Sequence, residues 1–354
     1  MAGGEAERVP GPLLFPCDLE AIARQIDTAA GVSDLAGSAA RVDAMVALLH
    51  DGGLKIERIA KLVGDLNKRL IARLWSLLAP PALVANGCLV VMGSEGRGEQ
   101  LLKTDQDNAL LLRDGFECPG LERIAAQFSG ALAELGYPPC PGGIMLVNPL
   151  WRQPLAAFRE ALRDWVYGGA PEGPMHLAIF VDSRVVAGDA TLLEQALDHL
   201  DVILDRTDVF FARFASAIER FDAHANWWHR LVARGDDEAL DLKKLGTFPI
   251  VHGVRALALQ QRLRATGTQE RLRLLVERQL LDPLLARDVL DALHFLMGLK
   301  LSCQLRQKQA GRVPGNLVRP SELATLERET LRGALNIVRR FRGEIHLRFR
   351  LDAL

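Results

Sequence analysis

Between Asp18 and Leu78 apolar residues return every three or four positions, as in Ile56, Ile59, Leu62, Val63, Leu66, Leu70 and Leu74. That is the period of a helix with one buried face, so residues 1–80 are expected to form a helical N-terminal region. "APPALVANG" (79–87) interrupts the pattern, because two prolines do not fit a helix interior. Two short apolar runs follow, "CLVVMG" (88–93), ended by glycine, and "TDQDNALLLRDG" (104–115), ended by Asp-Gly; both read as strands. Residues 120–135 return to helical spacing. "GYPPCPGGIMLVNP" (136–149) is a proline- and glycine-rich loop with room for a short strand, and 154–168 is helical again. "MHLAIFVDSRVVAGD" (175–189) reads as a third strand, followed by a helix over "ATLLEQALDHLDVIL". Strands interleaved with helices make 81–204 an α/β region. Beyond it, amphipathic helical patterns over 208–232, 237–265, 268–281, 283–309 and 321–343 predict a helical bundle for 205–354.

Composition narrows the function without naming it. The 354 residues are 49% hydrophobic and 25% charged, the balance of an ordinary globular chain. Lys+Arg 43 against Asp+Glu 44 gives a net charge of -1, which argues against a general footprint for nucleic acid or an acidic membrane. The five cysteines are scattered without a CxxC pair, so neither a disulfide framework nor a zinc site is expected. With no signal-peptide pattern and no apolar run of about 18 residues, the chain reads as cytoplasmic.

The chemistry concentrates in "GSEGRGEQLLKTDQDN" (93–108). Gly93 closes a strand and Ser94 opens the next segment, a turn that can present backbone N–H groups to an anion but is also common at any strand-to-helix junction. Arg97, one helical turn after Ser94, has the fork geometry for phosphate, and Glu99 lies near enough to orient it. Gly93 and Gly98 have P-loop spacing, yet Glu99 and Gln100 stand where Lys and Ser/Thr are required, so a P-loop is excluded. Asp105 and Asp107, alternate residues of an expected strand, would face one point about 6.5–7 Å apart along it. Such a pair suits Mg²⁺ with substrate phosphates; a bare DxD is more often what a solvated strand edge shows. Two features favour the site: the pair runs into the apolar "NALLL", and the expected third strand also ends in an acid, Asp182. Carboxylates 4 Å apart repel by roughly 4 kcal/mol at an effective dielectric of 20, which a divalent cation relieves.

The glycine-serine turn, the DxD about ten residues on and the distant strand acid together resemble the DNA polymerase β-like nucleotidyltransferases. "GSEGRGEQLLKTDQDNALLL" is most similar to the branch of PII uridylyltransferase and glutamine synthetase adenylyltransferase. "GYPPCPGGIM" and "FVDSRVVAGD" resemble uncharacterised nucleotidyltransferase-like proteins often fused to CBS or cyclic-nucleotide-binding modules. The resemblance spans roughly residues 40–345 and implies an α/β nucleotidyltransferase core, a small mixed sheet with flanking helices. It makes Gly93 and Ser94 the phosphate turn, with Arg97 and Glu99 matching the branch's "GRGE". Asp105 and Asp107 become ligands of Mg²⁺ or Mn²⁺, and Asp182 the third catalytic and metal carboxylate. The implied reaction is two-metal in-line transfer of NMP from an NTP to an acceptor hydroxyl, with pyrophosphate leaving. A regulatory protein is the acceptor such relatives suggest, homo-oligomers are open to it, and a catalytically silent nucleotide-binding regulator is the alternative. The usual leucine after the second aspartate is Asn108 here, and the sensor modules are missing, which leaves the mode of regulation open.

Outside the motif, Lys243 in "LDLKKLGTFP" resembles the lysine that lies near the nucleotide in the adenylyltransferase branch; solvated helix-end lysines are the competing reading. Arg184, two residues after Asp182, is placed to pair with that acid or with phosphate. His224 and His229 flank Trp227 and Trp228 at a spacing unsuited to a helical metal pair, so "HANWWHR" reads as an aromatic anchor. Cys140, without basic neighbours in sequence, reads as a structural loop residue. The basic "RRFRGEIHLRFR" reads as a solvated face or partner surface.

Overall fold

The computed structural model describes residues 18–205, 208–219 and 239–353. "HANWWHR" and part of the expected helix 208–232 lie outside the described residues.

The expected N-terminal helices form as α1 (Leu19–Thr28), α2 (Val32–Asp51) and α3 (Ile56–Leu78). Asp18 caps α1 by accepting the Ala21 N–H at 2.9 Å, a donor that the first helical turn leaves over, and Asp34 in the first turn of α2 reaches back to the Ala30 and Gly31 N–H groups at 2.9 and 3.3 Å. α3 buries Ile59, Val63, Leu66, Leu70 and Leu74 along one stripe. Its Trp75 meets Phe128 edge-on, ring centroids 5.2 Å apart, and Phe128 belongs to α6 (Leu121–Glu134).

The sheet beneath holds β1 (Gly87–Val91), β2 (Asn108–Leu112), β3 (Arg152–Pro154) and β4 (Arg184–Gly188) in the order β3-β2-β1-β4. β1 runs antiparallel to β2 and β4, while β2 and β3 are parallel, so the sheet is mixed. Strand alternation divides its side chains between two cores. Leu89, Val91, Leu110 and Leu112 pack with α1–α3 and α6. Cys88, Val90, Ala109 and Leu111 join a core shared with α7 (Leu155–Tyr167), α9 (Thr191–Ile203) and the C-terminal helices. Both faces are covered, which is why these strands read as unbroken apolar runs. The α/β core with helical flanks follows the expectation.

One expected element changes type. The apolar half of "MHLAIFVDSRVVAGD" is helix α8 (Gly173–Phe180), and only Arg184–Gly188 is strand. A short apolar run fits a buried helix and a buried strand equally; here Pro174 in the first turn favours helix, and Phe180 packs on Phe158 at 5.1 Å between ring centroids. Asp182 therefore sits in the turn between α8 and β4.

The short α4 (Pro81–Asn86), α5 (Gly93–Arg97) and α10 (Asp208–Ala215) complete the first two-thirds of the chain. The C-terminal part is a bundle of α11 (Phe248–Gln260), α12 (Thr268–Glu277), α13 (Pro283–Gln309) and α14 (Thr325–Phe349), with a two-residue ribbon, β5 (Leu240–Asp241) on β6 (Leu317–Val318). α11 is its centre, buried from Pro249 to Leu259. No described helix is long and apolar enough to cross a membrane.

Candidate active site

β1 hands the chain to the turn that opens the motif. The Met92 N–H still pairs with the Asp107 carbonyl at 2.8 Å, and Gly93 then turns at φ 58°, a left-handed conformation costly for other residues. Any Cβ at Gly93 would overlap Asp107 Oδ2. The glycine is therefore a cradle for that carboxylate. Ser94 follows, its Oγ 3.4 Å from the Gln100 side-chain amide.

Asp105 and Asp107 lie in an irregular segment that leads into β2, not on the strand itself. Between them Gln106 is buried and anchored: its N–H donates to the Pro138 carbonyl at 3.0 Å, and its amide donates to the Ser129 and Tyr137 carbonyls, both at 2.9 Å. With Gln106 held inward, the carboxylates converge, and one oxygen of each lies with Cys140 Sγ in a set of three atoms all within 4.8 Å of one another. Asn108 explains its departure from the resembling family. Its N–H donates to the Ile144 carbonyl at 3.0 Å and its Oδ1 accepts the Leu146 N–H at 2.9 Å, which ties the loop carrying Cys140 to β2.

Burial, and then the charge of Asp105, push the Asp107 carboxyl up to about 6, against the Cys140 thiol hydrogen bond and the Lys243 and Arg97 charges. Burial pushes the Cys140 thiol up to about 11, with Asp107 adding to it. Lys243 stands at the start of the turn Lys243–Thr247, where its N–H and that of Lys244 donate to Asp241 Oδ1 at 3.0 and 3.1 Å. The structure thus brings Asp105, Asp107, Gly93 and Ser94 together and sets Lys243 within electrostatic reach.

Three further residues belong to this neighbourhood that sequence reasoning missed. Lys300 of α13 is held down to about 8 by burial and then by the Lys243 charge, with Asp241 and Asp105 pulling the other way. Glu95 is buried beneath the Gly93 turn and accepts from Asn67 at 3.1 Å and from the Gln100 amide at 2.8 Å. Burial raises its carboxyl to about 7, against the Asn67 bond and the Arg184 charge. Tyr137 lines, with Glu95, Gln100, Asp105, Asp107 and Asn108, a cavity of about 20 Å³, room for about one water; its buried hydroxyl has no hydrogen-bond partner among the described residues.

Asp182, expected as the third metal carboxylate, is spent elsewhere. It is fully buried. Its Oδ2 accepts Arg97 Nη1 at 2.7 Å and Arg255 Nη2 at 2.5 Å, and its Oδ1 accepts Arg271 Nη1 at 2.8 Å and Arg255 Nε at 3.2 Å. Burial alone would raise its pKa, but Arg255, Arg271 and Arg97 outweigh it and hold the carboxyl well below the usual range. Two donors on each oxygen leave little lone-pair capacity for a cation, and Asp182 is not part of the Asp105, Asp107, Cys140 set. Arg97 and Glu99, expected on phosphate, brace the same junction. Arg97 Nε donates to Glu99 Oε2 at 2.6 Å, and Glu99 Oε1 accepts the Thr268 N–H at 2.7 Å. Thr266 Oγ1 donates to the Gly96 carbonyl at 3.0 Å, and a Cβ at Gly96 would overlap the Asp182 carbonyl. Arg184 stands against Gly98 instead of pairing with Asp182.

Two converging carboxylates, one cradled on glycine with its pKa raised by burial and then by its neighbour's charge, form a site that a cation stabilises. The residues fit.

A mixed sheet that presents an acidic pair beside a glycine-serine turn, backed by a helical bundle, defines a nucleotidyltransferase-like protein. Comparison with protein families agrees: the model described as "Putative nucleotidyltransferase DUF294" matches residues 40–172, and DUF294_C, described as "Putative nucleotidyltransferase substrate binding domain", matches residues 208–349. The chain belongs to this nucleotidyltransferase-like family. No curated protein matches it.

Proposed function

We propose that the protein transfers an NMP unit from an NTP to an acceptor hydroxyl with release of pyrophosphate, using Mg²⁺ or Mn²⁺. The observation that carries this reading is the convergence of Asp105 and Asp107 beside the Gly93 turn. When bound, the cation neutralises phosphate charge and orients the reacting oxygens. Asp105 and Asp107 hold it. The Gly93-Ser94 turn offers N–H groups to phosphate, and Lys243 meets the charge of the triphosphate from the helical side. Asp182, Arg97 and Glu99 position that turn instead of touching substrate. The name of the family's C-terminal model supports giving residues 205–354 the acceptor-binding role, beside a catalytic unit at 81–204 and a helical region at 1–80. A regulatory protein is the acceptor we infer from the resemblance to PII uridylyltransferase. The free thiols of Cys88, Cys118, Cys140 and Cys303 support a cytoplasmic setting.

A second reading has its own support. With Asp182 locked by three arginines, the pair has no third carboxylate among the described residues, which favours a protein that binds nucleotide without turning it over. Incubation with each labelled NTP and either cation, followed by mass spectrometry of host lysate proteins, separates the two. A nucleotidylated acceptor supports transfer, whereas tight NTP binding with no labelled product supports the silent regulator.

A further inference from the structure

The acidic pair has a third neighbour that is not an oxygen. Cys140 Sγ and the carboxylate oxygens of Asp105 and Asp107 are mutually within 4.8 Å, a separation that a small closure around one ion brings to bonding distances of about 2.0–2.3 Å. The thiol is held there by backbone. The Cys140 N–H points at Met145 Sδ at 3.4 Å, the Cys140 carbonyl accepts the Gly143 N–H at 2.9 Å, and Asn108, next to Asp107, fastens the far side of the loop through Ile144 and Leu146. Thiol and carboxylates are thus parts of one braced unit.

A second observation, independent of the donor atoms, points to a small polar ligand in the cavity beside the acidic pair, whose wall Cys140 does not form. Tyr137 is 3% exposed, its hydroxyl has no hydrogen-bond partner among the described residues, and it lines the same one-water cavity as Asp105 and Asp107. Buried hydroxyls find partners, and a water or other small polar ligand in that cavity, which Glu95 also lines, would meet Tyr137 beside the acidic pair.

Carboxylates alone do not discriminate against Mg²⁺, but a thiolate does: it is a soft donor suited to Zn²⁺, Co²⁺ and, more weakly, Mn²⁺, and poorly matched to Mg²⁺. We propose that Cys140 is a third ligand beside Asp105 and Asp107, and that its thiolate raises the site's affinity for thiophilic first-row divalent cations, Mn²⁺ included, without adding to that for Mg²⁺. The inference rests on the reading of the acidic pair as a cation site. As the metal–sulfur bond forms, the S–H bond breaks and its proton passes to solvent, so no oxidant is needed.

The test uses the full chain, stripped of metal under reducing conditions and titrated with Co²⁺ alone. A sulfur-to-cobalt charge-transfer band is expected in the wild type and its loss in Cys140→Ser. Co²⁺ and Zn²⁺ affinity should fall about ten-fold or more in the variant, since even outer partners of a ligand are worth 10–100-fold, while Mg²⁺ affinity should change less than about two-fold. Protection of Cys140 from alkylation by Co²⁺, read by peptide mass spectrometry on the wild type, gives the same answer should the serine variant fold poorly. Co²⁺ binding that depends on Asp105 and Asp107 but shows no thiolate band, or a band that survives Cys140→Ser, would overturn the inference while leaving the acidic pair as a cation site. Failure of any divalent ion to bind would remove both.

Discussion

Asp182 offers the sharpest separation between a structural and a catalytic carboxylate. Asp182→Asn keeps the shape and removes the charge, leaving Arg97, Arg255 and Arg271 around a fully buried neutral amide. Removing one partner of a single buried ion pair costs about 3–5 kcal/mol. Here one anion serves three cations, so about 3 kcal/mol is the lower bound expected, a large part of the 5–15 kcal/mol by which folded proteins are stable. Urea unfolding followed by circular dichroism reads it at pH 7. The pH dependence has a definite sign. The folded pKa lies below the ordinary 3.8, so the stabilisation is present above pH 4 and lost as pH falls through the folded value; the gap between wild type and variant should close in acid. A metal carboxylate would behave oppositely: its neutralisation would relieve repulsion, leave stability equal or higher, and abolish cation binding. A loss under about 1 kcal/mol at pH 7 would refute the account of Asp182.

Three more outcomes follow from the site. Glu95 is raised from 4.5 to about 7, so its ionisation costs stability as pH climbs through that window, on the order of 3 kcal/mol once complete; Glu95→Gln should match the wild type near pH 5 and exceed it at pH 8, and a variant less stable at pH 8 in thermal unfolding would contradict this. Gly93→Ala places a Cβ on Asp107 Oδ2 at φ 58°, so about 1–2 kcal/mol of backbone cost should accompany loss of cation-dependent nucleotide binding in a folded protein; unchanged calorimetric affinity would show that the cradle is unimportant. Lys300→Met should weaken binding of inorganic tripolyphosphate about ten-fold or more, the worth of one charge-assisted bond. In the wild type that affinity should decline as pH rises through about 8, where Lys300 loses its charge, and an equally steep decline in the variant would assign it to another group.

Sequence patterning sufficed where the cause was local. The stripe Ile59, Val63, Leu66, Leu70 declared α3, and "LVV" and "ALLL" declared the two central strands because both sheet faces are buried. "MHLAIF" misled because six residues with only one polar position carry neither period. The convergence of Asp105 and Asp107 was legible, although Gln106 achieves it by anchoring an irregular segment and not by strand alternation. What failed was long-range. Asp182 meets Arg255 and Arg271 at sequence separations of 73 and 89, so nothing beside it announced that its charge was already taken. Cys140 looked structural for want of basic neighbours in sequence; its neighbours in space are the two aspartates. Lys300 sat within an ordinary amphipathic stripe until α13 carried it to the site.

The central claim is that Asp105 and Asp107 together hold a cation on which nucleotide binding depends. Isothermal titration calorimetry with each NTP, with and without Mg²⁺ or Mn²⁺, on the wild type and on Asp105→Asn/Asp107→Asn tests it most directly. Nucleotide binding should require the cation and disappear in the double variant while its unfolding transition stays cooperative. Equal nucleotide affinity in both proteins, or binding indifferent to the cation, would contradict it.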